Sequence, residues 1–212
     1  MLQYPSPKDR LSERANPSTE DKSIARKFDK EYFDGNRKYG YGGFYYNPKF
    51  WTKTVELFIQ KYNLTSESSV LDVGCGKGFM LVDLLKAIPS LTIVGVDISN
   101  YAITHAHDFV KGKLAVANAK NLPFEDKSFD LVISVNTVHN LERLECINSI
   151  KEIERVKRKC SYIVVDGWET NEEKESLLSW VLTAKTMLST SDWEKLFVEA
   201  GYTGDYSFWK VN

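Results

Sequence analysis

Residues 70–78 read Val-Leu-Asp-Val-Gly-Cys-Gly-Lys-Gly, and Asp97 follows 19 residues after the last glycine, at the end of the run Val-Gly-Val-Asp. The pattern is typical of an apolar strand, a glycine turn, a helix and a second strand that ends on a carboxylate. Glycine lets the backbone turn tightly and approach a ligand closely, because it has no Cβ. A carboxylate at the end of the next strand is placed to bind a ribose diol. The pairing predicts a site for an adenosine-containing cofactor.

Apolar runs and amphipathic stretches alternate along the rest of the chain. Strands are predicted at 69–73, 92–97, 113–117, 129–135 and 161–166, with one or two more within 202–211. Helices are predicted at 48–61, 78–87, 99–110, 143–155 and 171–187, and another is predicted to begin at Ser191, with Glu194 completing a capping box. This order favours an α/β fold with a doubly wound parallel sheet, in which ligands bind beyond the carboxyl ends of the strands.

Composition and charge exclude several classes of protein. The chain has 212 residues, and its 28 Lys and Arg nearly balance its 29 Asp and Glu, giving a net charge of −1. Nucleic acid and membrane surfaces favour a basic partner, so neither is expected to bind. No apolar stretch is long enough to span a bilayer, and the N-terminus lacks the apolar core of a signal peptide. Three cysteines without metal-like spacing predict reduced thiols, a cytoplasmic location and no bound metal.

The residues of the glycine turn distinguish between adenosine cofactors. The dinucleotide fingerprint Gly-x-Gly-x-x-Gly would place its third glycine at position 79, where this chain has phenylalanine. Asp72 lies two residues before the first glycine, and its charge would repel a pyrophosphate and attract a cationic ligand. The turn therefore favours S-adenosylmethionine, which carries an ammonium and a sulfonium, over a nicotinamide dinucleotide.

Five features in order, between Val70 and Val165, resemble the class I S-adenosylmethionine-dependent methyltransferases of the small-molecule type. They are the acidic glycine loop, the carboxylate at the end of the second strand, the apolar residue after it, the Asn-Ala pair and the fourth strand, Phe-Asp-Leu-Val-Ile-Ser. The resemblance implies a Rossmann-like sheet of seven strands, mostly parallel, with an antiparallel seventh strand and helices on both faces. It implies S-adenosylmethionine as methyl donor and S-adenosylhomocysteine as product.

The resemblance also implies roles for individual residues. Asp97 would hold the ribose hydroxyls, Ile98 would pack on the adenine, and Asn118 would accept a hydrogen bond from the adenine amino group, where the family more often has aspartate. Asn136 would lie near the methionine part of the cofactor, with packing as the alternative. The full set of expected cofactor-binding residues is Tyr41, Asp72, Gly74, Cys75, Gly76, Asp97, Ile98, Asn118, Ala119 and Asn136.

His139, just past the fourth strand, is the candidate general base, because histidine titrates nearest to neutral pH. The alternative is a histidine that caps the next helix or packs between elements. Asp166 ends the fifth strand and is the second candidate catalytic residue, as a partner of His139 or of the substrate. Its alternative role is to start a turn before Gly167.

Three segments are expected. Residues 1–27 are predicted to form a flexible arm, residues 28–62 an aromatic and glycine-rich lid with the first helix, and residues 63–212 the methyltransferase domain, with a helical insertion near 169–188. In the second segment, Tyr41 would cover the cofactor. An aromatic plug under the first helix is the alternative.

The sequence thus predicts a methyltransferase that acts on an oxygen or nitrogen atom of a small polar metabolite, with a sugar-like acceptor as one guess. A protein or peptide methyltransferase and a non-catalytic cofactor-binding module are the alternatives, and a nicotinamide dehydrogenase ranks below them. The Asn-Pro-Pro-Tyr type of motif is absent after the fourth strand, which disfavours base and glutamine methylation. A homodimer is left open.

Overall fold

The structure is a computed structural model, and it describes residues 16–209. Seven strands lie in this part of the chain. They are β1 (Ser69–Val73), β2 (Thr92–Asp97), β3 (Leu114–Val116), β4 (Phe129–Val135), β5 (Lys157–Trp168), β6 (Leu188–Ser189) and β7 (Asp205–Trp209).

The α-helices of the described residues alternate with these strands after residue 62. They are α1 (Thr19–Ala25), α2 (Lys30–Phe33), α3 (Pro48–Tyr62), α4 (Phe79–Ala87), α5 (Asn100–Thr104), α6 (Arg143–Val156), α7 (Asn171–Leu178) and α8 (Thr190–Glu199). Short 3₁₀ turns cover Arg37–Tyr39, Asp108–Val110 and Val138–Asn140.

The sheet has the order β3-β2-β1-β4-β5-β6, with β7 paired to β5. β1 lies between β2 and β4, with Leu71 opposite Val94 on one side and Val132 on the other. The predicted mostly parallel, seven-stranded sheet is confirmed. The predicted antiparallel orientation of the last strand is wrong, because β7 runs parallel to β5, with Tyr162 opposite Asp205 and Asp166 opposite Trp209. The reason is the crossover through α8, which returns the chain to the edge of the sheet where β5 begins.

The core lies on both faces of the sheet, which confirms a doubly wound architecture. On one face, α6 and α8 pack on β1 and β4 through Leu71, Val132, Ile150 and Trp193. On the other face, α3 and α4 pack through a second cluster that includes Phe58. The strands read as continuous apolar runs because both of their faces are buried.

Several element boundaries differ from the sequence prediction. α5 ends at Thr104, and α7 ends at Leu178 instead of reaching 187. The cap of α8 is Ser189, whose side chain accepts a hydrogen bond from the Asp192 amide, instead of Ser191. Within the segment predicted as an arm, residues 1–15 lie outside the described residues. The sequence reasoning missed α1, which follows a capping box at Ser18.

Candidate functional site

A cavity of about 710 Å³ lies beyond the carboxyl ends of β1, β2 and β4. All ten predicted cofactor-binding residues line it. The further lining residues used below are Thr19, Ser23, Arg26, Lys27, Phe33, Phe44, Phe79, Lys120, Thr137, Asn140, Glu142 and Lys185. The position of the cavity agrees with the general placement of ligands in doubly wound sheets.

The glycine turn after β1 is held against the end of β2. The amides of Gly74 and Cys75 both donate to the Val96 carbonyl, at 2.7 and 3.0 Å. Gly74 has φ +84°, and a Cβ built there would lie 1.9 Å from Thr137 Oγ1. Only glycine fits this close approach between the turn and the residues that follow β4. Burial raises the pKa of the Cys75 thiol well above its usual range, so the thiol stays neutral.

Asp97 joins the glycine turn to the end of β2. Its Oδ2 accepts a hydrogen bond from the Gly76 amide and its Oδ1 accepts one from the Ser99 amide, both at 2.8 Å. Each oxygen of a carboxylate has room for about two donors, so both oxygens keep acceptor capacity toward the cavity. Burial raises the pKa of Asp97, and hydrogen bonds from the Ser99, Gly76 and Ile98 amides oppose this effect.

Three side chains in the cavity wall have oxygen atoms that lack hydrogen-bond donors among the described residues. The Asp72 carboxylate is buried at the end of β1, and no described group donates to it. The Oδ1 atoms of Asn136 and Asn140 are buried without a partner. Asn140 Nδ2 donates to the Asn136 carbonyl at 3.1 Å, which fixes the two residues together. Asn136 has φ +50°, a conformation that is uncommon outside glycine.

Burial and the nearby charge of Asp97 raise the pKa of Asp72 from 3.8 to about 8. The two acids and the donor-free amide oxygens leave this region with more acceptors than donors. A buried acceptor without a donor carries a desolvation penalty of about 1–3 kcal/mol. The region is therefore suited to a cationic ligand with several N–H donors.

An apolar surface lies next to Asp97. The Ile98 side chain lines the cavity and is 54% exposed, which is unusual for a large apolar residue inside a concave site. Asn118 and Ala119 lie beside it, after β3. Asn118 Oδ1 accepts a hydrogen bond from the Lys120 amide at 3.0 Å, so one of its two acceptor positions is used by the turn itself. Ile98 and Ala119 thus provide an apolar surface, and Asn118 has one hydrogen-bond acceptor position left beside it.

Aromatic rings from residues 28–51 cover the cavity and form its roof. The Tyr41 and Phe44 ring centroids lie 4.3 Å apart, and the Phe44 ring lies 4.7 Å from that of Phe79 at the start of α4. Phe33 packs against Tyr41 and Phe44. The roof is thus packed directly on the glycine turn. Tyr41 lines the cavity, and its predicted role in covering the cofactor stays a prediction.

A buried ion pair fastens the roof to the glycine turn. Lys77 Nζ donates to both carboxylate oxygens of Asp34, at 2.8 and 2.6 Å, and to the Phe44 carbonyl at 3.1 Å. Tyr101 Oη and the Phe44 amide complete the shell of donors around Asp34. Despite burial, these donors hold the pKa of Asp34 below its usual value. Sequence reasoning missed this pair; the signal was a lysine inside the glycine turn.

His139 and Asp166 lie together but outside the cavity lining. His139 is buried, and its Nδ1 accepts a hydrogen bond from the Asp166 amide at 3.0 Å. The ring also has a hydrogen bond with the Asn136 backbone, and burial lowers the pKa of His139. Both ring nitrogens are therefore engaged by the backbone. The predicted catalytic roles of both residues stay predictions, and this geometry favours a role in positioning the chain after β4.

No helix among the described residues is long and apolar enough to cross a bilayer. Within the same residues, no group of three or more His, Cys, Asp or Glu side chains is arranged to hold a metal ion.

Residues 70–160 match a family model described as a methyltransferase domain. An Arabidopsis thaliana tRNA (carboxymethyluridine(34)-5-O)-methyltransferase is 34% identical over 64% of this chain and 32% of that protein. A Caenorhabditis elegans sterol 4-C-methyltransferase is 28% identical, over 67% and 44%. A Mycolicibacterium smegmatis fatty-acid O-methyltransferase is 30% identical, over 50% and 41%. The chain spans less than half the length of each of these three relatives.

Solved structures agree on the fold. A methyltransferase from Methanosarcina mazei that depends on S-adenosylmethionine superposes with a TM-score of 0.55 and 20% identity, covering 68% of this chain and 82% of that one. One from Aquifex aeolicus gives a TM-score of 0.54 and 20% identity, covering 69% and 78%. At this level of identity the likeness concerns the fold alone.

Proposed function

We propose that this chain is a class I S-adenosylmethionine-dependent methyltransferase that transfers a methyl group from S-adenosylmethionine to an oxygen or nitrogen atom of a small acceptor. Its match to a methyltransferase-domain model over residues 70–160 supports this proposal. The observation that carries the proposal is the set of donor-free oxygens on Asp72, Asn136 and Asn140 in one cavity. An ammonium group has three N–H donors and a positive charge, so the methionine part of this cofactor suits the set.

The rest of the cavity also fits the cofactor. Asp97 keeps acceptor capacity for ribose hydroxyls beyond its two amide hydrogen bonds. The exposed face of Ile98 offers an apolar surface for the adenine ring. Asn118 has one acceptor position left for the adenine amino group. These are the residues that would hold the cofactor in this proposal.

When bound, S-adenosylmethionine supplies a methyl group on a sulfonium sulfur, which an acceptor atom displaces in line. In this proposal, the protein positions the two reactants and excludes water from them. The glycine turn, fixed by Asp97, sets the place of the donor, and the rings of Tyr41 and Phe44 cover it from above. Holding two reactants in line in a closed site replaces a bimolecular encounter with an effectively intramolecular one.

The acceptor is proposed to be a small molecule because the cavity is a pocket of about 710 Å³ that is lined in part by the aromatic rings of the roof. A protein or peptide methyltransferase would instead be expected to have an open groove at this edge of the sheet. The acceptors in the relatives' names differ widely: a tRNA nucleoside, a sterol and a fatty acid. Two of these names specify oxygen as the methylated atom and one specifies carbon. Neither they nor the cavity favours a sugar over other small polar acceptors.

The proposed setting is the cytoplasm. The three cysteines are free thiols, which suits a reducing compartment. A homodimer stays a prediction.

Calorimetry with S-adenosylhomocysteine is the first test. We expect binding with one site per chain and no binding of NAD. Transfer of label from S-adenosylmethionine to small acceptors is the second test, and it separates an enzyme from a non-catalytic module, which would bind without turnover. A chain that binds neither form of the cofactor would contradict the proposal.

A further inference from the structure

The wall of the cavity opposite the strand ends carries a row of hydrogen-bond donors. Thr19, Ser23, Arg26 and Lys27 all line the cavity from α1 and the two residues after it. Their spacing, i, i+4, i+7 and i+8, places them along one face of the helical segment. We name these four residues the α1 donor row. All four side chains are exposed at the rim of the cavity, so the row is accessible to a ligand.

Most of the donors in this row have no partner among the described residues. The two hydroxyls and the Lys27 ammonium make no hydrogen bond or ion pair within that part of the chain. Arg26 donates through Nε to the Thr183 carbonyl at 3.4 Å and through one terminal nitrogen to the Ala184 carbonyl at 3.3 Å. Its other terminal nitrogen stays available. The arginine is thus oriented by the backbone while part of its guanidinium remains free for a ligand.

A third cation lies beside the row. Lys185 follows the carbonyl that Arg26 binds, and its amide donates to the His139 carbonyl at 2.9 Å. Its ammonium is 3.3 Å from Glu142, the one carboxylate at this end of the cavity. Three cations face one anion here, whereas Asp72 and Asp97 lie at the strand ends. The cavity therefore has an acidic side and a basic side.

The cavity also lacks an obvious base for a hydroxyl or ammonium acceptor. None of the three histidines is among its lining residues. Asp72 and Asp97 face the proposed cofactor position, and Glu142 is paired with Lys185. A carboxylate acceptor needs no base, because it is already deprotonated near neutral pH.

We propose that the acceptor is a small carboxylic acid, bound by the α1 donor row and Lys185 and methylated on a carboxylate oxygen; this inference rests on the proposed methyltransferase function. One carboxylate oxygen accepts hydrogen bonds from the row. The other forms the new bond to the methyl carbon while the carbon–sulfur bond breaks and its electron pair stays on sulfur. The products are a neutral methyl ester and a neutral thioether, and no proton is taken up or released.

The chemical test uses labelled S-adenosylmethionine with a panel of fatty acids and dicarboxylic acids, each matched with its primary amide and primary alcohol. Methyl esters release volatile labelled methanol in mild alkali, whereas methyl ethers and N-methyl amides keep the label. We expect transfer to acids alone, with alkali-labile label. Alkali-stable label, transfer to alcohols or amides, or acceptance of no acid by a protein that binds S-adenosylhomocysteine would each overturn the proposal.

The binding test measures the affinity of the best acid for the S-adenosylhomocysteine complex. R26Q and K27Q are each expected to weaken acid binding about 10- to 100-fold, the range for hydrogen bonds to charged groups. Both should leave S-adenosylhomocysteine affinity unchanged. K22Q, on α1 but outside the cavity lining, is the matched control and should change neither. Equal effects of K22Q and K27Q, or tight binding of the amides, would overturn the assignment. Loss of S-adenosylhomocysteine binding by the unaltered protein would instead contradict the proposed function.

Discussion

The two walls of the cavity are built in different ways. The strand-end wall, with Asp72, Asp97 and Asn136, sits on strands whose neighbours fix them through the sheet. The opposite wall, residues 19–51, consists of short helices and turns. It is attached by aromatic packing on Phe79 and by polar contacts that include Lys77 with Asp34 and Arg26 with the backbone at 183–184. The difference suggests that one wall is rigid and holds a common cofactor, while the other can vary with the acceptor.

The largest expected effect comes from removing the tie between the walls. K77M leaves Asp34 partly buried without its cation, and breaking such a pair costs about 3–5 kcal/mol. We expect a matching fall in the free energy of unfolding, measured by urea denaturation. K111M, which breaks an exposed pair with Asp108, is the control and should leave the free energy of unfolding nearly unchanged. Equal losses in the two variants would mean that Lys77 does not fasten the roof.

The second-largest expected effect comes from substituting Asp97 in the strand-end wall. D97A removes the acceptors for the Gly76 and Ser99 amides and the proposed ribose contacts. We expect S-adenosylhomocysteine affinity to fall about 100-fold, since hydrogen bonds to charged groups contribute about 1.5–3 kcal/mol each. Calorimetry measures the affinity, and D108A, which removes an exposed carboxylate outside the cavity lining, is the control. Unchanged affinity in D97A would place the cofactor elsewhere.

Substitutions of His139 test whether this residue is a general base or positions the chain after β4. H139A leaves the buried Asp166 amide without its acceptor, at an expected loss of about 1–3 kcal/mol in unfolding free energy. H139Q retains an acceptor and is expected to recover part of that stability and most of the turnover. The predicted general-base role would give the opposite pattern: both variants would lose turnover alike while stability changed little.

The smallest expected effect is the pH dependence of S-adenosylhomocysteine affinity that Asp72 causes. Asp72 has a pKa of about 8 in the free protein, chiefly through burial and secondarily through the charge of Asp97. A cationic ligand favours the ionised carboxylate, so affinity should rise as pH increases toward 8 and level off above it. We expect S-adenosylhomocysteine to bind about tenfold more tightly at pH 8 than at pH 6.5, by linkage. D72N should remove most of this dependence; a dependence that persists in D72N would assign it to Asp97.

The raised pKa of Asp72 also determines how the free energy of unfolding depends on pH. The pKa of Asp72 is raised from 3.8 to about 8 in the folded chain, so the folded state favours the protonated acid. Its contribution to folding is therefore most favourable below pH 3.8 and is lost progressively as pH rises to 8. Ligand binding and folding thus respond to this one group in opposite directions.

Much of the strand-end wall was predictable because its residues come from short stretches with fixed geometry. A parallel strand followed by a glycine turn places Asp72, Gly74 and Gly76 within a few residues of one another, and the end of β2 brings Asp97 beside them. Nine of the ten predicted cofactor-binding residues that line the cavity lie on or after the strands, and the tenth, Tyr41, belongs to the opposite wall. Their individual roles stay predictions.

The opposite wall was not predictable in the same way. Its contacts join residues far apart in sequence, such as Arg26 with Ala184 and Lys77 with Asp34. The composition of residues 1–27 resembles a solvated arm, and the capping box that begins α1 gave the only local signal of a helix. The orientation of β7 also depended on a long-range feature, the crossover through α8.

The tie between Lys77 and Asp34 has a consequence for the order in which ligands leave. The opposite wall is held at the cofactor end by the pair of Lys77 and Asp34, at 2.6–2.8 Å, and near α1 by two longer hydrogen bonds from Arg26, at 3.3–3.4 Å. The end above α1 is the weaker attachment, so it is expected to open first. The methylated product would then depart before S-adenosylhomocysteine, giving an ordered mechanism. In steady-state kinetics, S-adenosylhomocysteine would be a competitive inhibitor against the methyl donor, and the methylated product would not.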